Sequence, residues 1–445
     1  MLTLPFLAAL VSVFLLLMVT APFYSLLLVD LGLMSIIEPW YIGGSLLDPT
    51  DVFIAFFGLM ILVRGNFSLT KLITEIPYLI PWLALGTVLS LSYMASPENA
   101  ENLTSAPRIA YQLYRYCWKG LLYYPICLIA LRSLGDARVV FTGLILGANV
   151  CAAQAVLQGY AGDREPPGPF STGNGLAAVL IVPIILSLSG VVFPASRLHW
   201  LFSGASLLLM ARAVLFSASR GGMVSMMAAA GVLGAVTFLM TSGRRRIFKM
   251  VPLAIMAPIV LLLMRPDLLD RPTVKHAVTL TQGTSDGNMQ WRIQQRWPHF
   301  IEIAMDNPWL GTGTYIDRSL SLKANTPHNG FIAWAVKYGL IAFALLLFFI
   351  YKALRDNFMA FRRSKLFHER IFYLTLVAAT FGLITHNMVE TTWPDTLILK
   401  FFWLIVALGA SFHHVWEASD PESERQLRTA PAGGRPTFAP TRQPA

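Results

Sequence analysis

Residues 339–350 read Gly-Leu-Ile-Ala-Phe-Ala-Leu-Leu-Leu-Phe-Phe-Ile, and residues 250–264 read Met-Val-Pro-Leu-Ala-Ile-Met-Ala-Pro-Ile-Val-Leu-Leu-Leu-Met. Neither run alternates apolar and polar side chains, as the strand of a membrane barrel would. In hydrocarbon only helices and closed barrels satisfy their own backbone groups, so such runs are helices. They recur through the 445 residues, of which 55% are hydrophobic and only 13% charged. A soluble domain carries about 25% charged residues, roughly twice as many. The sequence therefore predicts an all-α polytopic integral membrane protein.

Twelve spans are expected, over 4–21, 50–63, 76–93, 117–131, 139–157, 175–193, 199–216, 221–241, 250–264, 329–352, 371–391 and 397–416. The second and ninth are short for a bilayer, and 22–37 is a candidate re-entrant segment. No basic stretch precedes the first span, which is read as retained rather than cleaved. With the N-terminus inside, the inner loops hold fourteen Lys and Arg residues and the short outer loops five. That bias places both termini in the cytoplasm and explains the net charge of +10 without a nucleic-acid partner. Residues 1–416 form one transmembrane domain, 265–328 a large outer loop, and 417–445 a Pro- and Arg-rich disordered cytoplasmic tail. Cys117, Cys127 and Cys151 lie in or beside apolar segments with no CxxC pair, which argues against a disulfide framework or thiolate metal site.

The outer side concentrates the residues that could carry chemistry. Arg292 and Arg296, in Gln290-Trp291-Arg292-Ile293-Gln294-Gln295-Arg296-Trp297, share one face if the stretch is helical. Two guanidinium forks there suit phosphate oxygens; the other reading is a solvated face pairing with Glu302 or Asp306. Arg220, in Ser217-Ala218-Ser219-Arg220-Gly221-Gly222, stands where a tight turn begins a helix, a place that favours an anion, or else an interfacial arginine. Arg212 is about two turns inside its span and needs a partner or a wet cavity. His328, in Pro327-His328-Asn329-Gly330, is placed to act as a general base or to be merely structural. His386 and Glu390, i and i+4, form either a proton relay or, the plainer reading, a mutually satisfied polar pair. Asp163-Arg164-Glu165 is the one acidic pair with suggestive spacing, a weak cue for a metal.

The order of a Ser-Arg-Gly-Gly turn, an arginine-bearing loop helix running into Asn307-Pro308-Trp309-Leu310-Gly311-Thr312-Gly313, and Pro327-His328-Asn329-Gly330 opening the next span resembles the O-antigen ligase superfamily. That superfamily also includes O-antigen and exopolysaccharide repeat-unit polymerases and some bacterial protein O-oligosaccharyltransferases. Gly168-Pro169-Phe170-Ser171-Thr172-Gly173-Asn174 is similar to a loop found earlier in such chains, and the likeness is carried by about 160–350. It implies a multi-span (GT-C-like) glycosyltransferase, metal-independent and inverting, without a cofactor. It implies a glycan on undecaprenyl pyrophosphate as donor, met on the periplasmic face of the bacterial inner membrane. The acceptor would be a lipid A-core sugar for a ligase or a second lipid-linked glycan for a polymerase. Arg220 and Arg292 would bind the pyrophosphate, and His328 would be the base; Arg296 falls where the family varies. The rival class is a polysaccharide or lipid transporter or flippase, which twelve spans and the intramembrane Arg212, His386 and Glu390 would also suit.

Overall fold

The computed structural model describes residues 22–33, 40–42, 45–47, 49–64, 76–97, 99, 104–131, 133–161, 167–170, 172–240, 287–314, 325–392 and 396–411. The expected spans 4–21 and 250–264, the acidic pair Asp163/Glu165, much of the large loop and the tail lie outside them. The described chain runs α1 (Phe23–Leu33), β1 (Trp40–Ile42), β2 (Ser45–Leu47), α2 (Pro49–Arg64), α3 (Leu79–Ala95), α4 (Ala106–Leu113) and a π-helical turn (Tyr114–Trp118). It continues through α5 (Tyr123–Ala130), α6 (Leu134–Ala161), α7 (Gly173–Val192), α8 (Arg197–Phe216) and α9 (Arg220–Leu239). After the undescribed part come α10 (Gly287–Trp291), a second π-helical turn (Arg292–Arg296), α11 (Trp297–Asp306), α12 (Gly330–Arg363), α13 (Phe367–Val389) and α14 (Thr396–Ser411).

Six of these helices, α6, α7, α8, α9, α12 and α13, are long and apolar enough to cross a membrane, and α2, α3 and α14 are shorter apolar helices. The protein is thus a polytopic helical membrane protein. Two expectations need correction. The span at 117–131 is not a regular α-helix: it starts in a π turn, passes through helical turns at 119–122 and ends in an α5 of only 8 residues. The fold also contains one antiparallel hairpin, with Trp40 opposite Leu47 and Ile42 opposite Ser45. Gly43-Gly44 separates those strands in sequence, the kind of pair that two-residue hairpin turns favour.

α7 is the buried centre, packed by α6, α8, α9 and α13. Two ion pairs tie distant elements together: Lys400 Nζ lies 3.2 Å from Asp30, and Lys119 Nζ 2.8 Å from Asp51. All four groups are largely buried, where a charge is tolerated only when paired.

The expected span over 329–352 is not one continuous helix. Gly339 has φ +80°, outside helical geometry, so the carbonyls of Val336 and Lys337 lose their helical partners. The Asn307–Gly313 segment replaces those partners. Thr312 N–H donates to Val336 O (2.8 Å), Gly313 N–H to Lys337 O (2.9 Å), and Leu340 N–H to Pro308 O (2.7 Å). The approach is close enough that a Cβ on Gly339 would stand 2.2 Å from Trp309 O, and one on Gly311 2.5 Å from Val336 O. A broken backbone is thereby sealed inside protein, as low dielectric demands. α11 completes the joint by packing Phe300 and Ala304, one turn apart, against Ala335 and Val336.

Candidate active site

Four chain segments meet at one end of the bundle: the N-termini of α9 and α12, the C-terminus of α13, and the second π turn. The first is built by Ser217–Arg220. Ala218 takes a left-handed φ of 55°, and Ser219 then caps α9 by accepting from Gly222 N–H at 3.0 Å. The loop before α7 supports this turn. Gln158 pairs with both backbone groups of Gly168, at 2.8 and 3.1 Å, and Gly173 lies so close that a Cβ would be 2.3 Å from Ser217 O. Arg220 is therefore the first residue of α9, partly buried, on a turn fixed from behind.

Each residue of Pro327-His328-Asn329-Gly330 has a structural task. Pro327 O accepts from the Trp297 indole at 3.0 Å, which fastens α11 to this turn. Asn329 caps α12 through Oδ1, accepting from Phe331 and Ile332 N–H, while its Nδ2 donates to Met388 O on α13. Gly330 lets Asn387 approach, since a Cβ there would be 2.4 Å from Oδ1. Between them His328 is held at φ 47°, a sparsely populated conformation for a residue with a side chain. Among the described residues three non-glycines have positive φ, and two of them, Ala218 and His328, are in this site. Such strain is kept where surrounding contacts over-determine it, and it clusters at functional sites.

Glu390 joins these parts. Its carboxylate lies 3.2 Å from His328 Nδ1 and 3.7 Å from Arg292 Nη1. Arg292 also donates to Val389 O at 2.7 Å. A Cβ on Gly221 would stand 3.3 Å from Glu390 Cγ, so Arg220 begins its helix beside the same carboxylate. With Nδ1 facing a carboxylate, the His328 ring is oriented with Nε2 as the available lone pair. The His328 side chain is 32% exposed and thus open to a reactant.

Arg296 behaves differently from Arg292. In a π turn, i and i+4 do not stack as they do in an α-helix. Arg296 turns inward, is 5% exposed, and lies 4.1 Å over the Trp291 ring. Burial lowers its pKa, the charge of Arg292 lowers it further, and Glu390 opposes both. It adds positive potential from behind the site. Arg292 faces Glu390 rather than Glu302 or Asp306, so the solvated-face reading does not describe it.

The expected His386–Glu390 pair is not formed. α13 ends at Val389; the Glu390 N–H still donates to His386 O at 2.9 Å, but Glu390 is extended (φ −139°, ψ 155°), and its side chain turns to His328 and Arg292 instead. His386 stays buried behind Gly221. Arg212 is one turn, not two, from the end of its helix. Among the described residues no three His, Cys, Asp or Glu side chains are grouped to hold a metal.

Residues 205–347, about a third of the chain, match the family described as O-antigen ligase. This match supports a likeness of the chain to the O-antigen ligase superfamily. The matched segment contains Arg220, Arg292, Arg296 and His328, whereas Glu390 lies beyond it. Members of the family are glycosyltransferase-like ligases and polymerases that work on lipid-linked glycans. Comparison with curated proteins gives no match.

Proposed function

We propose that the chain is an O-antigen ligase-type glycosyltransferase that moves a glycan from undecaprenyl pyrophosphate to a hydroxyl of a lipid A-core sugar. The reaction takes place on the periplasmic face of the bacterial inner membrane, in a GT-C-like architecture of about twelve spans. The observation that carries this reading is the Glu390 carboxylate set between His328 Nδ1 and Arg292. One carboxylate then orients a base and an anion-binding guanidinium toward a common point.

His328 Nε2 takes the proton of the acceptor hydroxyl, and the oxygen attacks the anomeric carbon. The bond from that carbon to the pyrophosphate oxygen breaks, and its electron pair leaves with the undecaprenyl pyrophosphate. Attack opposite the leaving group inverts the anomeric centre. Arg220 and Arg292, with Arg296 behind them, stabilise the charge gathering on pyrophosphate, an effect of about 3–4 kcal/mol per preorganised donor. The N-termini of α9 and α12 add favourable dipoles at the same point. Base catalysis contributes roughly 10²–10⁴ in rate. No step requires a metal, since arginines provide the counter-charge.

A repeat-unit polymerase of the same superfamily would use the same donor chemistry with a lipid-linked acceptor. Deletion of the gene separates the two: loss of a ligase frees lipopolysaccharide of all O-antigen, whereas loss of a polymerase leaves one repeat attached. The first pattern is expected.

A further inference from the structure

Arg212 takes no part in the site just described, and its surroundings are unusual for an arginine. Along α8 the exposed positions Leu201 (58%), Ala205 and Leu208 (59%) form a stripe whose next member, by helical spacing, is Arg212. On neighbouring α6 the exposed stripe Leu146, Val150 and Leu157 continues to Tyr160, which is 48% exposed. Apart from the exposed Gln154 between Val150 and Leu157, these stripes are apolar, and they point outward on helices long enough to span, so they face hydrocarbon. Arg212 and Tyr160 end both stripes, one turn (about 5 Å) from the end of α8 and just before the Ser217–Arg220 turn.

The guanidinium is held rather than free. Arg212 donates to Tyr160 Oη, and its Cζ lies 5.0 Å over the Tyr160 ring and 5.3 Å over the Phe216 ring. Phe216 reaches that position because Gly159 allows it, a Cβ there being 2.6 Å from Phe216 Cδ2. Among the described residues no carboxylate pairs with Arg212, and its Nε is buried without a partner. A cation on a lipid-facing stripe, aligned by two aromatic rings and with no carboxylate partner among the described residues, suits an anion presented from the membrane.

We propose that Arg212 and Tyr160 form a lipid-phosphate site on the lateral flank of α6 and α8, beside the Arg220 turn. The ligand is the phosphate of an outward-leaflet lipid, received by the planar guanidinium with its apolar chains along the two exposed stripes. Two lipids carry that chemistry: a phosphodiester phospholipid and a polyprenyl pyrophosphate. That the second passes here on its way to Arg220 and Arg292 rests on the function proposed above; the phosphate site itself does not.

The test is lipid retention by the purified full-length protein in native mass spectrometry, titrated with phosphatidylglycerol, undecaprenyl pyrophosphate and uncharged diacylglycerol. Arg212→Leu should retain phosphorylated lipid roughly tenfold less, the scale of one lost charge-assisted contact, with diacylglycerol unchanged. Arg212→Lys should fall between, because it keeps the charge and loses the fork. Loss for both phosphorylated lipids, or for the pyrophosphate alone, supports donor entry by this flank. Loss confined to phosphatidylglycerol upholds the phosphate site and removes the donor from it. Arg212→Leu and Arg212→Lys proteins that melt like the wild type and retain all three lipids equally would overturn the proposal. Because retention is read without turnover, a protein that binds lipid phosphate here yet transfers no glycan would refute the proposed function and leave this site standing.

Discussion

Because Glu390 approaches His328 Nδ1 and Arg292 together, the site's residues should divide by the kinetic quantity they change. Arg292→Lys and Arg220→Lys keep charge but lose the planar fork, so they should weaken binding of a lipid-pyrophosphate analogue substantially. His328→Ala should bind that analogue nearly as well as the wild type and lose about 10²-fold or more in single-turnover transfer. Glu390→Gln keeps the shape and removes the charge that orients the histidine; it should lower turnover strongly, with Glu390→Asp partly restoring it. Equal loss of binding and turnover in every variant would mean general disruption. Normal turnover in His328→Ala would remove the histidine from the chemistry. At this scale the sequence yielded Arg220, Arg292 and His328, because each sits in a short motif of turn or cap residues. It did not yield the role of Glu390. Spacing alone pairs Glu390 with His386, and only the end of α13 at Val389 turns the carboxylate toward α12.

Between elements, the decisive joint is the seal of Asn307–Gly313 on the break at Gly339. Helix type and most helix positions could be read from apolar runs, including α7, α8 and α9 to within a few residues. The break could not, since Gly339 lies within the expected span 329–352 and its meaning lies in contacts with residues about thirty positions earlier. The same holds for 117–131, which begins in an aromatic-rich π turn ending at Trp118 and passes through turns at 119–122 before α5. Gly339→Ala provides the test of the joint. The added Cβ meets Trp309 O at 2.2 Å, and the φ of +80° is unfavourable to alanine, so stability should fall by about 2–3 kcal/mol. Thermal melting in detergent should show a lower midpoint. Gly231→Ala, where a Cβ meets nothing within 4 Å, should leave it unchanged or raise it. Equal midpoints for the two variants would contradict the packing described.

For the molecule as a whole, orientation and chemistry are linked, because a lipid-linked donor is met only on the face where its headgroup lies. Cysteines introduced at Ser285 and Ser423 report this orientation. A membrane-impermeant thiol reagent on spheroplasts should label the first and spare the second. Labelling of Ser423→Cys alone would put the site on the cytoplasmic side. The measurement that reaches furthest is transfer by the purified protein in liposomes, given a labelled glycan on undecaprenyl pyrophosphate and a lipid A-core acceptor, with EDTA present throughout. The account predicts labelled acceptor with an inverted anomeric linkage, released undecaprenyl pyrophosphate, and little product from His328→Ala. Label that crosses the bilayer with no new glycosidic bond, or product that forms only after Mg²⁺ or Mn²⁺ is restored, would contradict it.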